Sequence, residues 1–284
     1  MIIQSIFSST FYYSGLSWLS RKLFSKRGKY VLMFHGVSKK KSSKIPKDIQ
    51  PYLDNSEFES IISWLKNSFK FLEPDDFLYS NNSGLLLTFD DGFYNNFSNV
   101  IPILDKHKVP ALFFIPISQI KEPQKWLHFI ESKLDSYGIK KSSLTQEIKK
   151  DYYNGIPKEN LIEMVNNPLV TIGSHSIKHP LLSQCSSEEV FREILESKEY
   201  LEKITKKPVK YFAYPSGDYN QDTIDQVRNV GYHAAFGIDK VHNIGNLRYE
   251  IPRIGIYSNS RPYLSAKLSG LYLKPIGKIN PIIE

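Results

Sequence analysis

A chain of 284 residues with 41% hydrophobic and 23% charged side chains can bury a sizeable core in one large α/β domain or two small ones, which excludes a disordered chain. Its single cysteine, Cys185, excludes an internal disulfide framework and fits a reducing compartment. The net charge of +8 is local: ten of the 37 basic residues precede the first acidic one, Asp48, and the other 27 stand against 29 acidic residues, so no basic face runs across the fold and nucleic acid is not expected as a partner.

Residues 1–29 read as a basic amphipathic arm. Ile2, Ile3, Ile6, Phe7, Phe11, Leu16, Trp18 and Leu19 recur at roughly helical spacing, and Arg21-Lys22 and Lys26-Arg27 follow. No basic residue precedes the apolar stretch and no clean small-x-small site ends it, which speaks against a secretory signal. The stretch is also too polar for a membrane span. It reads either as an interfacial helix drawn to anionic lipid or as a helix docked on the domain, followed by a solvated basic linker. The expected location is cytoplasmic, with peripheral contact at the inner face of the cytoplasmic membrane through residues 1–29.

Residues 30–258 alternate apolar strands with helical patterns. Tyr30–Phe34 predicts a buried strand, and Ser56–Phe69 a helix with Phe58, Ile61, Ile62 and Leu65 on one face. Leu85–Phe89 and Ala111–Ile115 are continuous apolar strands, with a helix over Asn99–Lys108 between them whose Pro102 is tolerated in the first turn. Residues 119–168, lysine-rich and polar, fit the alternation least and predict a helical excursion over one end. Val170–Gly173 is a short strand. Ser186 and Glu189 stand at capping-box spacing and start a long helix. Val209–Tyr214, Tyr232–Ile238 and Ile251–Ile256 supply further strands. The tail, 259–284, mixes Tyr263, Leu264 and Leu268 with lysines and would pack beside the N-terminal segment. Strands without alternation are buried on both faces, as in a parallel sheet covered by helices, which predicts an open α/β sheet or a barrel. In a barrel, catalytic residues stand at the C-terminal ends of strands, where each polar cluster of this chain falls.

Thr88-Phe89-Asp90-Asp91-Gly92 closes one strand. Adjacent carboxylates repel each other; a cation relieves the repulsion and leaves one as ligand and the other as base. Alone, the segment also reads as a polar turn. His175-Ser176-Ile177-Lys178-His179-Pro180 follows another strand. Two imidazoles four residues apart can reach one metal, and a carboxylate with two histidines is a catalytic ligand set with positions open for water. Such a set suits Zn2+, with other divalent ions left open, while the bland alternative is two surface histidines. Phe212-Ala213-Tyr214-Pro215-Ser216-Gly217 closes a third strand in a Pro-x-Gly turn, which is either an ordinary turn or a source of backbone N–H groups for an oxyanion. Cys185, set between Leu181-Leu182 and a helix start, is not read as a nucleophile.

Together these segments resemble, in order and spacing, the three motifs of the polysaccharide deacetylase family, the carbohydrate esterases with a nodulation-deacetylase homology domain. Val109-Pro110-Ala111-Leu112-Phe113-Phe114, Gly231-Tyr232 and Ile251-Pro252-Arg253 resemble framework segments of the same family. The resemblance implies an α/β fold, a distorted (β/α) barrel, and hydrolysis of N-acetyl groups on glycans. It implies that Asp91, His175 and His179 hold a divalent metal, that Asp90 is the general base, and that the turn Tyr214-Pro215-Ser216 faces substrate, with an N–H near Ser216 completing the oxyanion hole. Two departures stand out. The arginine that the family carries two residues before the motif's proline is Ala213 here, which makes Arg253 the candidate replacement. The late Leu-x-x-His that supplies a general acid is not recognisable after Gly231, and neither His233 nor His242 has that context. Val31-Leu32-Met33-Phe34-His35-Gly36 resembles the first strand of a bacterial subgroup, so His35 is either a site residue or a structural hydrogen-bonding one.

The expected activity is therefore metal-dependent removal of N-acetyl groups from amino sugars, in a cell-envelope polysaccharide or a lipid-linked glycan precursor. Deformylation or other deacylation of a lipid-linked amino sugar is the nearest alternative. A non-catalytic glycan-binding descendant is the more distant one, and it has no need of Asp90 beside a metal.

Overall fold

The computed structural model describes residues 10–16, 28–43, 45–238, 248–269 and 276. Most of the arm 1–29, His242 and the greater part of the tail after Ser269 lie outside the described residues.

Nine strands are present among the described residues: β1 (Lys29–Phe34), β2 (Val37–Ser38), β3 (Leu53–Asp54), β4 (Gly84–Phe89), β5 (Ala111–Ile115), β6 (Val170–Ser174), β7 (Tyr211–Ala213), β8 (Ala234–Phe236) and β9 (Ile254–Gly255). Seven form one sheet in the order β8-β7-β6-β5-β4-β1-β9, and every pairing in it is parallel. The apolar runs of β1, β4 and β5 are buried at every position, as strands covered on both faces must be.

The sheet closes on itself through one irregular segment. Ile251 bridges to Phe236, with its N–H donating to Ala235 O at 2.9 Å and its O accepting from Gly237 N at 2.9 Å. Three residues on, Ile254 and Gly255 pair with Leu32 and Met33 of β1. The single strand expected over Ile251–Ile256 is thus split: Pro252 has no N–H to give a ladder, and Pro252-Arg253 carry the chain from the β8 edge to the β1 edge. The barrel is distorted at a second place as well, since β6 and β7 share only the pair Ser174↔Phe212. Strands expected to run over Val209–Tyr214 and Tyr232–Ile238 shorten to β7 and β8.

Ten α-helices follow β1 among the described residues: α1 (Asn55–Lys66), α2 (Pro74–Tyr79), α3 (Ile101–His107), α4 (Ile117–Lys121), α5 (His128–Ser136), α6 (Gln146–Tyr152), α7 (Lys158–Val165), α8 (Ser187–Thr205), α9 (Gln221–Asn229) and α10 (Arg261–Lys267). The capping box at the head of α1 belongs to Asp54 and Glu57, which moves its start ahead of Ser56. Ser186 and Glu189 form the expected box at the head of α8. The helix expected from Asn99 begins instead as a wide turn over Asn96–Val100, and α3 follows it. The side chains of this turn explain the difference: Asn95, Asn96 and Asn99 bond the backbone of residues 35–37 and of Asp151 and Tyr152 rather than facing solvent.

Within residues 119–168, α5 and α6 pack with Ile45, Ile49 and Phe93 in an apolar cluster of their own. Helix α7 instead sends Leu161, Met164 and Val165 into the main core, so the excursion proper ends before it. From the tail, α10 buries Leu264 in the main core, and Ile276 exchanges two hydrogen bonds with Lys29 at the start of β1.

Candidate active site

Parallel strands deliver their C-terminal ends to one mouth. His35 follows β1, Asp90 and Asp91 follow β4, His175 follows β6, and Tyr214 follows β7. Six non-glycine residues have positive φ among the described residues; Lys108 and Lys206 end helices, and the other four are Asp91 (φ 73°), Ser176 (67°), His179 (60°) and Ser216 (56°). Such conformations persist only where the surroundings enforce them, and here they fall in all three motifs. Gly92 continues the turn at φ 61°, where a Cβ would also come 2.8 Å from Ile115 Cγ2.

Asp90 is held by Arg253. Nη1 donates to Oδ1 at 2.6 Å and Nη2 to Oδ2 at 2.8 Å, a two-pronged charge-assisted contact. Arg253 is fully buried; its Nε donates to Gly237 O at 2.9 Å, Nη1 reaches Thr88 Oγ1 at 3.3 Å, and its guanidinium lies 5.4 Å from the centre of the Phe114 ring. The crossing point of the barrel's closing segment thus carries the positive charge that faces Asp90. Burial works against the Asp90 anion, but Arg253 and then His175 outweigh it and hold its pKa down at about 2.

Asp91 faces the two histidines. His179 Nε2 is 3.4 Å and His175 Nε2 3.7 Å from Asp91 Oδ1, and one donor atom from each of the three lies within 4.8 Å of the others. Two ligands about 2.1 Å from a common ion at the tetrahedral angle stand about 3.4 Å apart, close to both histidine–Asp91 distances, so the three side chains converge as ligands of one divalent ion would. His175 Nδ1 donates to Ala213 O at 2.8 Å, which leaves Nε2 as the lone-pair nitrogen facing Asp91. Burial holds both imidazoles neutral, pushing His175 down to about 3 and His179 to about 4. Burial, and then the Asp90 anion, push the Asp91 carboxyl well above the usual carboxylate range. Both imidazoles thus present unprotonated nitrogens, as metal ligands must.

The loop of the two histidines is clamped on both sides. Glu193 of α8 accepts from Ile177 N at 2.7 Å and Lys178 N at 2.9 Å through one carboxylate oxygen. From the other side, the N–H groups of Ile117 and Ser118 donate to Ser176 O and Ile177 O at 3.2 and 2.9 Å. Ser176 Oγ accepts from His179 N at 3.0 Å.

His35 is half-buried, lines the same cleft as Asp91, and keeps a buried Nδ1 without a hydrogen-bond partner among the described residues. Burial lowers its pKa, while Asp90 favours its charged form. The third motif distributes its residues unevenly. Tyr214 does not line the cleft: its ring is buried against Tyr219 at 4.3 Å, its hydroxyl donates to Tyr249 O at 2.8 Å, and its N–H donates to Phe236 O at 3.1 Å. It supports the turn from beneath, and its expected contact with substrate is corrected accordingly. In the turn of Pro215-Ser216-Gly217, the N–H groups of Gly217 and Asp218 bond back to Tyr214 O and Pro215 O, both at 2.9 Å, and the Ser216 N–H takes no part in those bonds.

Beside Asp91 and His35 opens a cleft of about 230 Å3, walled by Tyr52, Phe129, Tyr153 and Tyr257. None of these aromatics is marked by a motif. Each comes from a loop or from the excursion, where neither period nor strand end distinguishes a wall residue from any exposed ring. Glu193 is equally silent, being one of several acidic residues on α8.

A family model described as polysaccharide deacetylase matches residues 80–235. A poly-beta-1,6-N-acetyl-D-glucosamine N-deacetylase of Staphylococcus aureus (strain MSSA476) is 29% identical over 237 residues, covering 80% of this chain and 76% of that protein. Among solved structures, a Streptococcus pyogenes deacetylase in complex with acetate superposes with a TM-score of 0.65 at 21% identity, covering 86% of this chain and 99% of that one. IcaB from Ammonifex degensii superposes with a TM-score of 0.64 at 21% identity, covering 86% and 98%. These two likenesses bear on the fold, which is the distorted (β/α) barrel.

Proposed function

Because the chain belongs to the polysaccharide deacetylase family, and is thereby a hydrolase of amide bonds, we propose that it removes N-acetyl groups from amino sugars of a polysaccharide, with a divalent metal held by Asp91, His175 and His179. The observation that carries this is the unequal treatment of two adjacent carboxylates. Asp90 is locked as an anion by Arg253, while Asp91 is turned toward two neutral imidazoles. One acts as a base and the other as a ligand. The Staphylococcus aureus relative supports β-1,6-linked N-acetylglucosamine as the first substrate to try.

When bound, the metal supplies a Lewis acid that polarises the amide carbonyl and makes water easier to deprotonate; its donor set suits Zn2+. Asp90 takes the proton of the attacking water at Oδ2, the oxygen 3.9 Å from His175 Nε2. Arg253 fixes the position and charge of that carboxylate and so stands in for the arginine absent at Ala213. The Ser216 N–H donates to the oxyanion that forms as the carbonyl carbon becomes tetrahedral. His35, whose imidazole lines the cleft beside Asp91, is the group placed to hand a proton to the departing amine as the C–N bond breaks.

Acetate release from N-acetylglucosamine oligomers tests the roles. Asp90→Asn is expected to retain the metal and lose hydrolysis by about 10³-fold or more. Wild-type turnover in that variant would sink the assignment of the base.

A further inference from the structure

Three aromatic rings around the cleft are left in the open by the fold. Tyr52, just before β3, is 49% exposed; Tyr257, just after β9, is 38% exposed; Phe129, on α5, is 49% exposed. The two tyrosine rings lie with centroids 4.7 Å apart, inclined at 56°, and Tyr257 lies 6.3 Å from the His35 ring. Phe129 stands over the metal-ligand side, 5.5 Å from the His179 ring.

The tyrosine shelf is seated rather than loose. The Tyr257 ring occupies the place of a side chain at Gly255, where a Cβ would meet the hydroxyl oxygen at 2.5 Å and Cε2 at 2.6 Å. Lys267 Nζ donates to Gly255 O at 3.1 Å and fixes the floor of that seat. Tyr52 leads directly into β3, whose Asp54 caps α1. At the rim, Asp48 and Lys133 stand 3.6 Å apart, both partly exposed, and the Tyr137 hydroxyl donates to Asp48 at 2.7 Å.

We infer that Tyr52 and Tyr257 form a subsite that stacks on the apolar face of the pyranose ring next to the one being deacetylated, so that the enzyme takes an oligomer or polymer rather than a single or lipid-linked amino sugar. This rests on the deacetylase reading above. A pyranose presents a face of C–H bonds and a rim of hydroxyls. An aromatic shelf takes the face, and the carboxylate and ammonium at its edge take the rim, which is the mix of apolar walls and few polar groups that small-molecule sites use. An acyl chain offers no polar group to Asp48 or Lys133, and covering their exposed atoms costs the hydrogen bonds with water that their mutual contact and Tyr137 do not replace. The cleft is below the usual range of about 300–1,000 Å3 for pockets that engulf a ligand, so it suits one ring of a chain that runs on into solvent.

The test is calorimetric titration of the full-length Asp90→Asn protein with β-1,6-linked N-acetylglucosamine oligomers of increasing length, from the monosaccharide upward. Affinity is expected to rise about tenfold or more from the monosaccharide to the short oligomers, equivalent to about 1.4 kcal/mol, and then to level off. Tyr257→Ala and Tyr52→Ala in the same background should each remove most of that rise, and Tyr257→Phe should keep it. Affinity independent of length, a rise that survives both alanine variants, or tighter binding of a lipid-linked monosaccharide than of the oligomers would each overturn the subsite. Acetate release by the wild-type protein separates the two levels. Release with no length dependence removes the subsite alone, whereas no release from any N-acetylated amino sugar removes the activity beneath it.

Discussion

Replacing Arg253 with methionine would leave Asp90 buried, at 3% exposure, with no cation against it. The fall of the Asp90 pKa from 3.8 to about 2 corresponds to about 2 kcal/mol of folded-state stability. A depressed carboxylate pKa gives stability that is present above pH 3.8 and lost as pH falls through about 2. Without Arg253 the opposing influence of burial dominates, the pKa rises above its ordinary value, and the anion becomes a cost at neutral pH. Stripping one partner from a buried pair typically costs about 3–5 kcal/mol. Urea unfolding of wild type and Arg253→Met at pH 7 and again near pH 4.5 should show a deficit of that size at the higher pH, shrinking at the lower one as Asp90 protonates. Arg253→Lys keeps the charge but not the fork and should fall between them. A deficit below about 1 kcal/mol, or one equal at both pH values, would mean that Arg253 does not hold Asp90 as described.

Two further outcomes concern the same site and a third the N-terminal arm. Zn2+ should raise the melting temperature more at pH 8 than at pH 5.5: the imidazoles are already neutral, so the proton displaced on binding comes from Asp91, whose pKa burial and Asp90 raise; equal shifts at both pH values would contradict this. Glu193→Ala should weaken metal affinity by about 10–100-fold in a chelator competition, with Glu193→Gln recovering part of it through its remaining acceptor oxygen, because Glu193 sets the loop that aims both histidines. Deleting residues 1–25 should weaken sedimentation with anionic liposomes if the arm is interfacial, and unchanged sedimentation would leave it a docked helix.

What the sequence could say depended on whether a function lay within one stretch of chain. Asp90-Asp91 and His175 to His179 are each contiguous, end predictable strands and have a chemistry that spacing alone suggests. Arg253 was visible only as a candidate, because its pairing with Asp90 spans 163 residues and depends on how the barrel closes. The split of residues 251–256 between two edges follows from Pro252 and from which strands flank the gap, and no apolar pattern records the second of these. Tyr214 shows the opposite failure. A residue at a strand end can face the mouth or the core, and its motif does not say which; packing against Tyr219 decides it. The cleft walls at Tyr52, Phe129 and Tyr257 were illegible because they belong to a surface assembled from three separate segments.

The proposed reaction rests on a metal held by Asp91, His175 and His179. Its most direct test measures metal content and acetate release together, on the wild-type protein as isolated, after chelation and after reloading with Zn2+. One ion per chain is expected, with loss of acetate release on chelation, its return on reloading, and no reloading of His179→Ala. Full acetate release from chelated protein free of metal would contradict it.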